Sequence, residues 1–377
     1  MPGLLYKEEH EIFRASVRSF IEREVAPHHA QWEKDGQVSH ELWRKAGAAG
    51  FLCTGVPAEY GGAGGDFLYA AIMSEEFARS MFSGPGFRLH SDIVAPYILH
   101  YGSEAQKRKW LPAMAKGEAI TAIAMTEPGA GSDLQGIRTT ALRDGEQYVV
   151  NGQKTFITNG QMADLVVVVA KTDPREGAKG ITLILVEADR PGFKRGRNLE
   201  KLGMKAQDTS ELFFDDVRVP LDNVLGGEGR GFACLMQELP QERLLVGITA
   251  VGVMESVLEQ TIRYTRERKA FGRAIADFQV SRFKLAEMKT EVKVARVFLD
   301  HCLELHLEGK LDVETAAMAK WWLSDLENRI VDQCLQLHGG YGYMWEFPIA
   351  RAYADARVHR IFAGTNEIMK ELIARGL

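Results

Sequence analysis

Between Pro240 and Pro348 the chain contains no proline, and its apolar residues recur at helical spacing, most plainly from Phe278 to Leu303. So long an amphipathic stretch without a helix breaker packs most naturally as long antiparallel helices. The region before it has a different period. From about 119 to 226, short β-branched or aromatic runs (Tyr148-Val-Val-Asn-Gly-Gln, Leu165 to Ala170, Ile181 to Val186, Glu211 to Val217) are punctuated by Gly, Asp and Pro. These predict antiparallel strands in a small sheet domain. Earlier still, helical spacing returns over Glu8 to Val25, ending ahead of Pro27, and over Asp66 to Met81, closed by the Ser-Gly-Pro-Gly turn at 83–86. The expected fold is α+β: an N-terminal α-helical domain (1–118), a middle antiparallel β domain (119–228) and a C-terminal four-helix bundle (229–377).

Charge and cysteine usage narrow the function classes. The 377 residues carry 46 basic and 51 acidic side chains, a net charge of −5 that leaves no electrostatic footprint for nucleic acid. Cys53, Cys234, Cys302 and Cys334 lie far apart with no CxxC pair, which argues against a zinc site or a disulfide framework and for buried, reduced thiols. No metal site is expected. The longest purely apolar run, Leu165 to Ala170, is far too short to span a bilayer. The N-terminal residues lack the apolar core of a signal peptide and the Arg-rich character of a transit peptide. The expected compartment is a bacterial-type cytoplasm, or the mitochondrial matrix for a processed organellar form.

Three short segments carry the chemistry. Met125-Thr-Glu-Pro-Gly-Ala-Gly-Ser-Asp133 follows the apolar run Ile120 to Met125, and its glycines let backbone N–H groups approach a flat or anionic ligand. Lys154-Thr-Phe-Ile-Thr-Asn-Gly160 comes about twenty residues later, and Gln336-Leu-His-Gly-Gly-Tyr-Gly-Tyr343 lies near the C-terminus. No GxGxxG opens a helix after a parallel strand, so a dinucleotide would have to be held by loops.

In this order and spacing the three segments resemble the acyl-CoA dehydrogenase family of flavoproteins, from roughly residue 5 to the end. The likeness is nearest to the long-chain branch, with isovaleryl-type members second. It implies FAD as cofactor, with Met125, Thr126, Gly131 and Ser132 along the isoalloxazine edge. Phe156 and Thr158 would cover the ring and reach its N5 side; the family often has Trp at the position of Phe156. Arg268, in the stretch Arg266-Glu-Arg-Lys-Ala-Phe-Gly272, would reach the flavin pyrophosphate of a neighbouring subunit, with Phe271 and Gln279 near the adenine. Gln336, Gly339 and Gly340 match the same neighbour-facing site. Glu346, Arg351 and Asp355 complete the family's second signature. The implied assembly is a homotetramer, a dimer of dimers. Its implied partners are an acyl-CoA substrate and electron-transfer flavoprotein.

Oxidising a saturated thioester at Cα–Cβ needs a carboxylate for the α-proton, donors for the thioester oxygen and an acceptor for the β-hydride. Many small-substrate members of the family carry the base in Tyr-Glu-Gly-Thr. Here the segment reads Ile361-Phe-Ala-Gly-Thr-Asn-Glu367, so Ala363 stands where that base would be. The long-chain and isovaleryl subgroup places its base on an earlier helix, and Glu238-Leu-Pro-Gln-Glu-Arg-Leu-Leu245 matches that pattern with Glu242. Spacing alone makes Glu242 an acid of a first helical turn after Pro240; the absent acid at 363 makes it the base. Ala363 keeps a backbone N–H for the thioester oxygen. Ser132, Arg243 and Gly364 are candidate substrate contacts, and Thr365 and Glu367 stand near the flavin. His338 reads as a structural helix-end residue. Gly84 and Gly86 are candidates for deepening an acyl channel, or simply for a tight turn. Three functions remain open: a dehydrogenase that delivers electrons to electron-transfer flavoprotein, an acyl-CoA oxidase or other flavin oxidoreductase on the same fold, and a non-enzymatic member that has lost its chemistry.

Overall fold

The computed structural model describes residues 5–377. Six helices come first: α1 Glu8–Phe20, α2 His29–Asp35, α3 His40–Ala48, α4 Phe67–Ser80, α5 Ala95–Tyr101 and α6 Glu104–Ala115. Local chemistry sets their starts. Ser39 and Asp66 accept from Leu42 N and Leu68 N, and Ser103 with Gln106 forms a reciprocal capping box. Two segments widen into π-turns, Ile21–Val25 after α1 and Leu89–Val94 leading into α5.

The sheet strands are β1 Thr121–Ala124, β2 Thr140–Asp144, β3 Gln147–Thr158, β4 Leu165–Lys171, β5 Ile181–Glu187, β6 Phe193–Asn198, β7 Thr209–Pro220 and β8 Val224–Leu225. Their order is β6-β7-β3-β2-β4-β5-β8, with β1 also beside β4. Pairing is mostly antiparallel, as the strand pattern predicts. The exception is β1, which runs parallel to β4, and β2 also meets β4 in parallel at Thr140↔Lys171. The apolar run in β4 is explained by burial on both faces. Leu165, Val167 and Val169 face a core with Ile98, Leu111 and Met114; Val166, Val168 and Ala170 face a second core with Val150, Leu212 and Val217.

Three long helices follow, α7 Gly231–Glu267, α8 Gln279–Leu307 and α9 Val313–His338, with the short α10 Pro348–Ala356 and α11 Asn366–Ala374 against α9. A small hairpin, β9 Lys269–Ala270 and β10 Arg273–Ala274, links α7 to α8. By composition α7 is long and apolar enough to cross a bilayer, yet 72 % of its most apolar window is buried inside the fold. It is the central core helix. Gly252 lets α4 lie close against it, because a Cβ there would meet the Ala78 Cβ at 2.9 Å.

Buried charge ties the helical layers together. Arg14 donates to Glu75 and Glu76 at 2.8 and 2.9 Å, and Arg296 of α8 bonds Glu75 at 2.6 Å and Glu255 at 2.9 Å. Burial alone would raise the Glu75 carboxyl; the Arg296 and Arg14 guanidiniums outweigh it and hold it below the usual range. All four cysteines are free and buried.

Candidate active site

A cavity of about 580 Å³ lies where sheet and helices meet. One wall is the loop after β1 and the end of β3, which present Met125, Thr126, Gly131, Ser132, Phe156 and Thr158. Glu242 and Arg243 of α7 and the turn at Ala363 and Gly364 line the same cavity. Distant sequence segments are thus brought to one space. The cavity continues between α4 and α7, past Met73, Phe77, Met81, Val246 and Val253.

The sheet wall is fixed by a buried ion pair that the sequence did not single out. Lys154 Nζ donates to Glu127 Oε1 and to the Met125 carbonyl, both at 2.9 Å. Glu127 also accepts from Arg138 N and Thr139 N at 2.6 and 2.9 Å, closing the loop on itself. Burial pushes Lys154 down to about 8, against the pull of Glu127. Next to it the β3–β7 register shifts between Lys154 and Ile157, and Phe156 adopts φ 59°. That bulge leaves the Phe156 side chain 68 % exposed on the cavity side, while Ile157 stays in the core.

Glu242 is not in a first helical turn. α7 runs through Pro240 without a break, so Glu242 sits well inside the helix. Pro240 has no N–H to give the carbonyl one turn back, that of the cavity-lining Met236. Only 6 % of Glu242 is exposed. Its Oε1 accepts from Tyr97 OH of α5 at 2.8 Å. Burial pushes the carboxyl up to about 7; the Tyr97 bond works against that, Glu238 adds to it and Arg243 again opposes it. Arg243 is buried rather than a surface residue, and its Nε has no hydrogen-bond partner among the described residues.

The cavity-lining turn at 363–364 has two successive left-handed residues, Ala363 at φ 53° and Gly364 at φ 88°. A buried lysine holds it from beneath: Lys320 Nζ of α9 donates to the Gly364 carbonyl at 2.6 Å and to Asn366 Oδ1 at 2.8 Å. Thr365 then caps α11 by accepting from Ile368 N, and Glu367 is exposed beyond it. Neither lines the cavity.

Gly84 and Gly86 have a packing explanation. A Cβ on Gly84 would approach the Ala206 Cβ at 2.8 Å, and one on Gly86 would overlap Asn159 Oδ1. Asn159 Nδ2 donates to Gly86 O and Thr121 O, joining this turn to β1. Deeper in, Arg88 donates to Leu245 O and Thr249 Oγ1, and Asp92, raised to about 7 by burial, lines the same wall.

The other predicted flavin contacts form a separate, outward-facing group. Phe271, at φ 52° in the tip of the β9–β10 hairpin, is 96 % exposed and touches Phe278 edge-on, beside Gln279. Arg268 lies over the Tyr341 ring at 5.6 Å, which brings it beside the exposed Gln336, Gly339 and Gly340. His338 bonds Cys334 O and stacks on Tyr264, a structural role as expected. Among the described residues no cluster of metal-ligating side chains occurs.

The chain matches three family models in succession: "Acyl-CoA dehydrogenase, N-terminal domain" over residues 7–118, "middle domain" over 122–217 and "C-terminal domain" over 229–377. It belongs to the acyl-CoA dehydrogenase family. It is 57 % identical to the mitochondrial long-chain specific acyl-CoA dehydrogenase of Sus scrofa, over 98 % of this chain and 87 % of that one. Its fold matches a crystal structure of acyl-CoA dehydrogenase from Geobacillus kaustophilus at TM-score 0.97 and 52 % identity, covering 99 % of each chain. A chain from a structure described as the electron transferring flavoprotein of Acidaminococcus fermentans matches at TM-score 0.94 and 36 % identity, over 99 % of this chain and 98 % of that one.

The protein is an oxidoreductase, and members of its family are FAD flavoproteins. The residues present fit that group. A Cβ added at Gly131 would meet nothing within 4 Å, so the loop backbone borders open space, and Phe156 is turned out beside it. Arg243, whose buried Nε has no hydrogen-bond partner among the described residues, lines a cavity large enough for a ligand.

Proposed function

We propose that the chain removes two hydrogens from Cα and Cβ of a medium-, long- or branched-chain acyl-CoA, giving the trans-2-enoyl-CoA. The observation that carries this reading is a buried carboxylate, Glu242, lining the same cavity as a turn whose own side chain, Ala363, cannot accept a proton.

Glu242 takes the α-proton through the oxygen that Tyr97 leaves free. A carboxylate pushed up to about 7 is a stronger base than an ordinary one and keeps a sizeable ionised fraction at neutral pH. The Ala363 N–H donates to the thioester oxygen, and the left-handed turn is held in advance by Lys320, so little reorganisation accompanies charge development. Arg243 supports the negative charge nearby, and Ser132 and Gly364 border the thioester. Met125, Thr126, Gly131, Ser132, Phe156 and Thr158 hold the isoalloxazine, with Thr365 and Glu367 beyond the turn. The FAD supplies the acceptor for the hydride that leaves Cβ. Apolar residues from Met73 to Val253 sheathe the acyl chain and keep water from it.

Arg268, Phe271, Gln279, Gln336, Gly339 and Gly340 serve the cofactor of a second copy. Their exposure together, away from the cavity, supports a homotetramer built as a dimer of dimers. Electron-transfer flavoprotein is the electron acceptor, and a reducing cytoplasm or mitochondrial matrix is the compartment. The test is anaerobic titration of the FAD-loaded protein with acyl-CoAs of increasing length and with isovaleryl-CoA. Bleaching of the flavin absorption by some of these thioesters is expected; unchanged absorption with all of them overturns the reading. Rapid reoxidation by oxygen would point to an oxidase instead.

A further inference from the structure

Tyr97 is fully buried in the core between α5, α6 and the sheet, and among the described residues its phenol has one partner, Glu242 Oε1, at 2.8 Å. No other hydrogen bond reaches that carboxylate among the described residues. One oxygen of the base is therefore tethered to a rigid ring, and the other is free toward the cavity. We propose that Tyr97 is the positioning residue of the base: its hydroxyl holds Oε1 so that Oε2 alone meets the substrate. This rests on Glu242 being the base.

The chemistry of the pair has a direction. A phenol O–H that donates to a carboxylate favours the ionised carboxylate, and burial beside Glu242 keeps the phenol itself protonated, with its own pKa well above the usual value. The bond therefore offsets part of the burial that raises Glu242. Among the described residues Tyr97 is the one side chain hydrogen-bonded to the base, and the charged neighbours pull in both directions. On α7, Glu238 lies one turn before Glu242 and disfavours its charge, while Arg243 favours it. On α5, His100 Nδ1 pairs with Glu238 Oε1 at 2.8 Å and Tyr101 bonds Gln237. His306 of α8 also feels Glu238. Arg88 and Asp92 stand on the segment before α5, and Lys320 and Glu327 on α9.

The sequence spacing could not show the pair, because 145 positions separate the two residues. A tyrosine in the otherwise apolar Val94-Ala-Pro-Tyr-Ile98 is the only hint.

The experiment is Tyr97→Phe in the FAD-loaded enzyme, with the rate of anaerobic flavin bleaching followed against pH. The expected result is a low-pH limb whose midpoint moves up by about one unit, so that the rate is about tenfold lower below pH 7 and recovers at high pH. Affinity for the thioester and the melting temperature should change little. Glu238→Gln should move the same midpoint down, which shows that the limb reports Glu242. Infrared titration of the Glu242 carboxyl, assigned by its loss in Glu242→Gln, reads the same shift without turnover. It separates the two ideas: a shifted carboxyl without any bleaching would leave the tyrosine role standing and sink the assigned reaction. An unmoved midpoint in Tyr97→Phe, by rate and by infrared, overturns the positioning role, whatever happens to the absolute rate.

Discussion

The cavity side of the molecule and the hairpin side are built on opposite plans. Around the cavity, two unusual backbone conformations have a buried support: Phe156 lies beside the Lys154–Glu127 pair, and the Ala363 turn rests on Lys320. At the hairpin side, Phe271 is 96 % exposed and Tyr343 is 85 % exposed, and nothing among the described residues covers them. The difference teaches where each half finds its rigidity. The first is organised by its own core, and on the proposed reading the second is completed by a second copy of the chain.

The largest test of this division is Glu242→Gln. Removing a general base costs about 10²- to 10⁴-fold in rate, so flavin bleaching should nearly vanish while FAD stays bound. The same variant probes stability. The Glu242 carboxyl titrates at about 7 in the fold against an ordinary value of 4.5, so its ionisation opposes folding. That penalty is absent below about pH 4.5, grows between there and 7, and is complete above 7. Thermal unfolding at pH 8 should thus show Glu242→Gln stabilised by up to about 3 kcal/mol, with the gain fading in acid.

Lys320→Met should come next. It leaves the Gly364 carbonyl and Asn366 without their buried donor, costing about 2–4 kcal/mol in chemical denaturation and at least about tenfold in bleaching rate. The hairpin side predicts the reverse pattern. Arg268→Gln or Phe271→Ala should weaken FAD binding about tenfold, measured by equilibrium dialysis, with the tertiary fold of the chain unchanged. Equal damage to the cavity from both sets of variants would erase the contrast. The smallest effect belongs to Ala363→Gly, which relieves a left-handed non-glycine residue: a gain of about 0.5–1 kcal/mol in melting experiments and a bleaching rate within about twofold of the parent.

Much of the molecule was legible in the sequence because the signals are local. Short β-branched and aromatic runs marked β4, β5 and β7, helical spacing marked α4 and α8, and two of the three motif segments line the cavity. The absence of an acid at 363 made Glu242 stand out. What escaped depends on distant partners. The parallel placement of β1 is set by pairing with β4, over forty positions away, and no local pattern encodes its direction. Pro240 read as a helix start because proline usually is one; the tertiary packing of α7 overrides that preference. Lys154 and Lys320 are charged residues at fully buried positions, and only the fold reveals the carboxylate and carbonyl that accept from them. A lysine inside an apolar stripe, as in Ala316-Ala-Met-Ala-Lys320-Trp-Trp, is the signal that could have found the second one.

The left-handed turn at Ala363 and the carboxylate at Glu242 belong to separate parts of the chain, a surface-linked turn and a core helix. Such separation makes the site modular. On the proposed reading, the turn can be reshaped to suit a bulkier thioester without moving the base, and the helix can be retuned through its neighbours without moving the Ala363 N–H. For directed evolution this offers two independent handles, one steric and one electrostatic, on a single reaction.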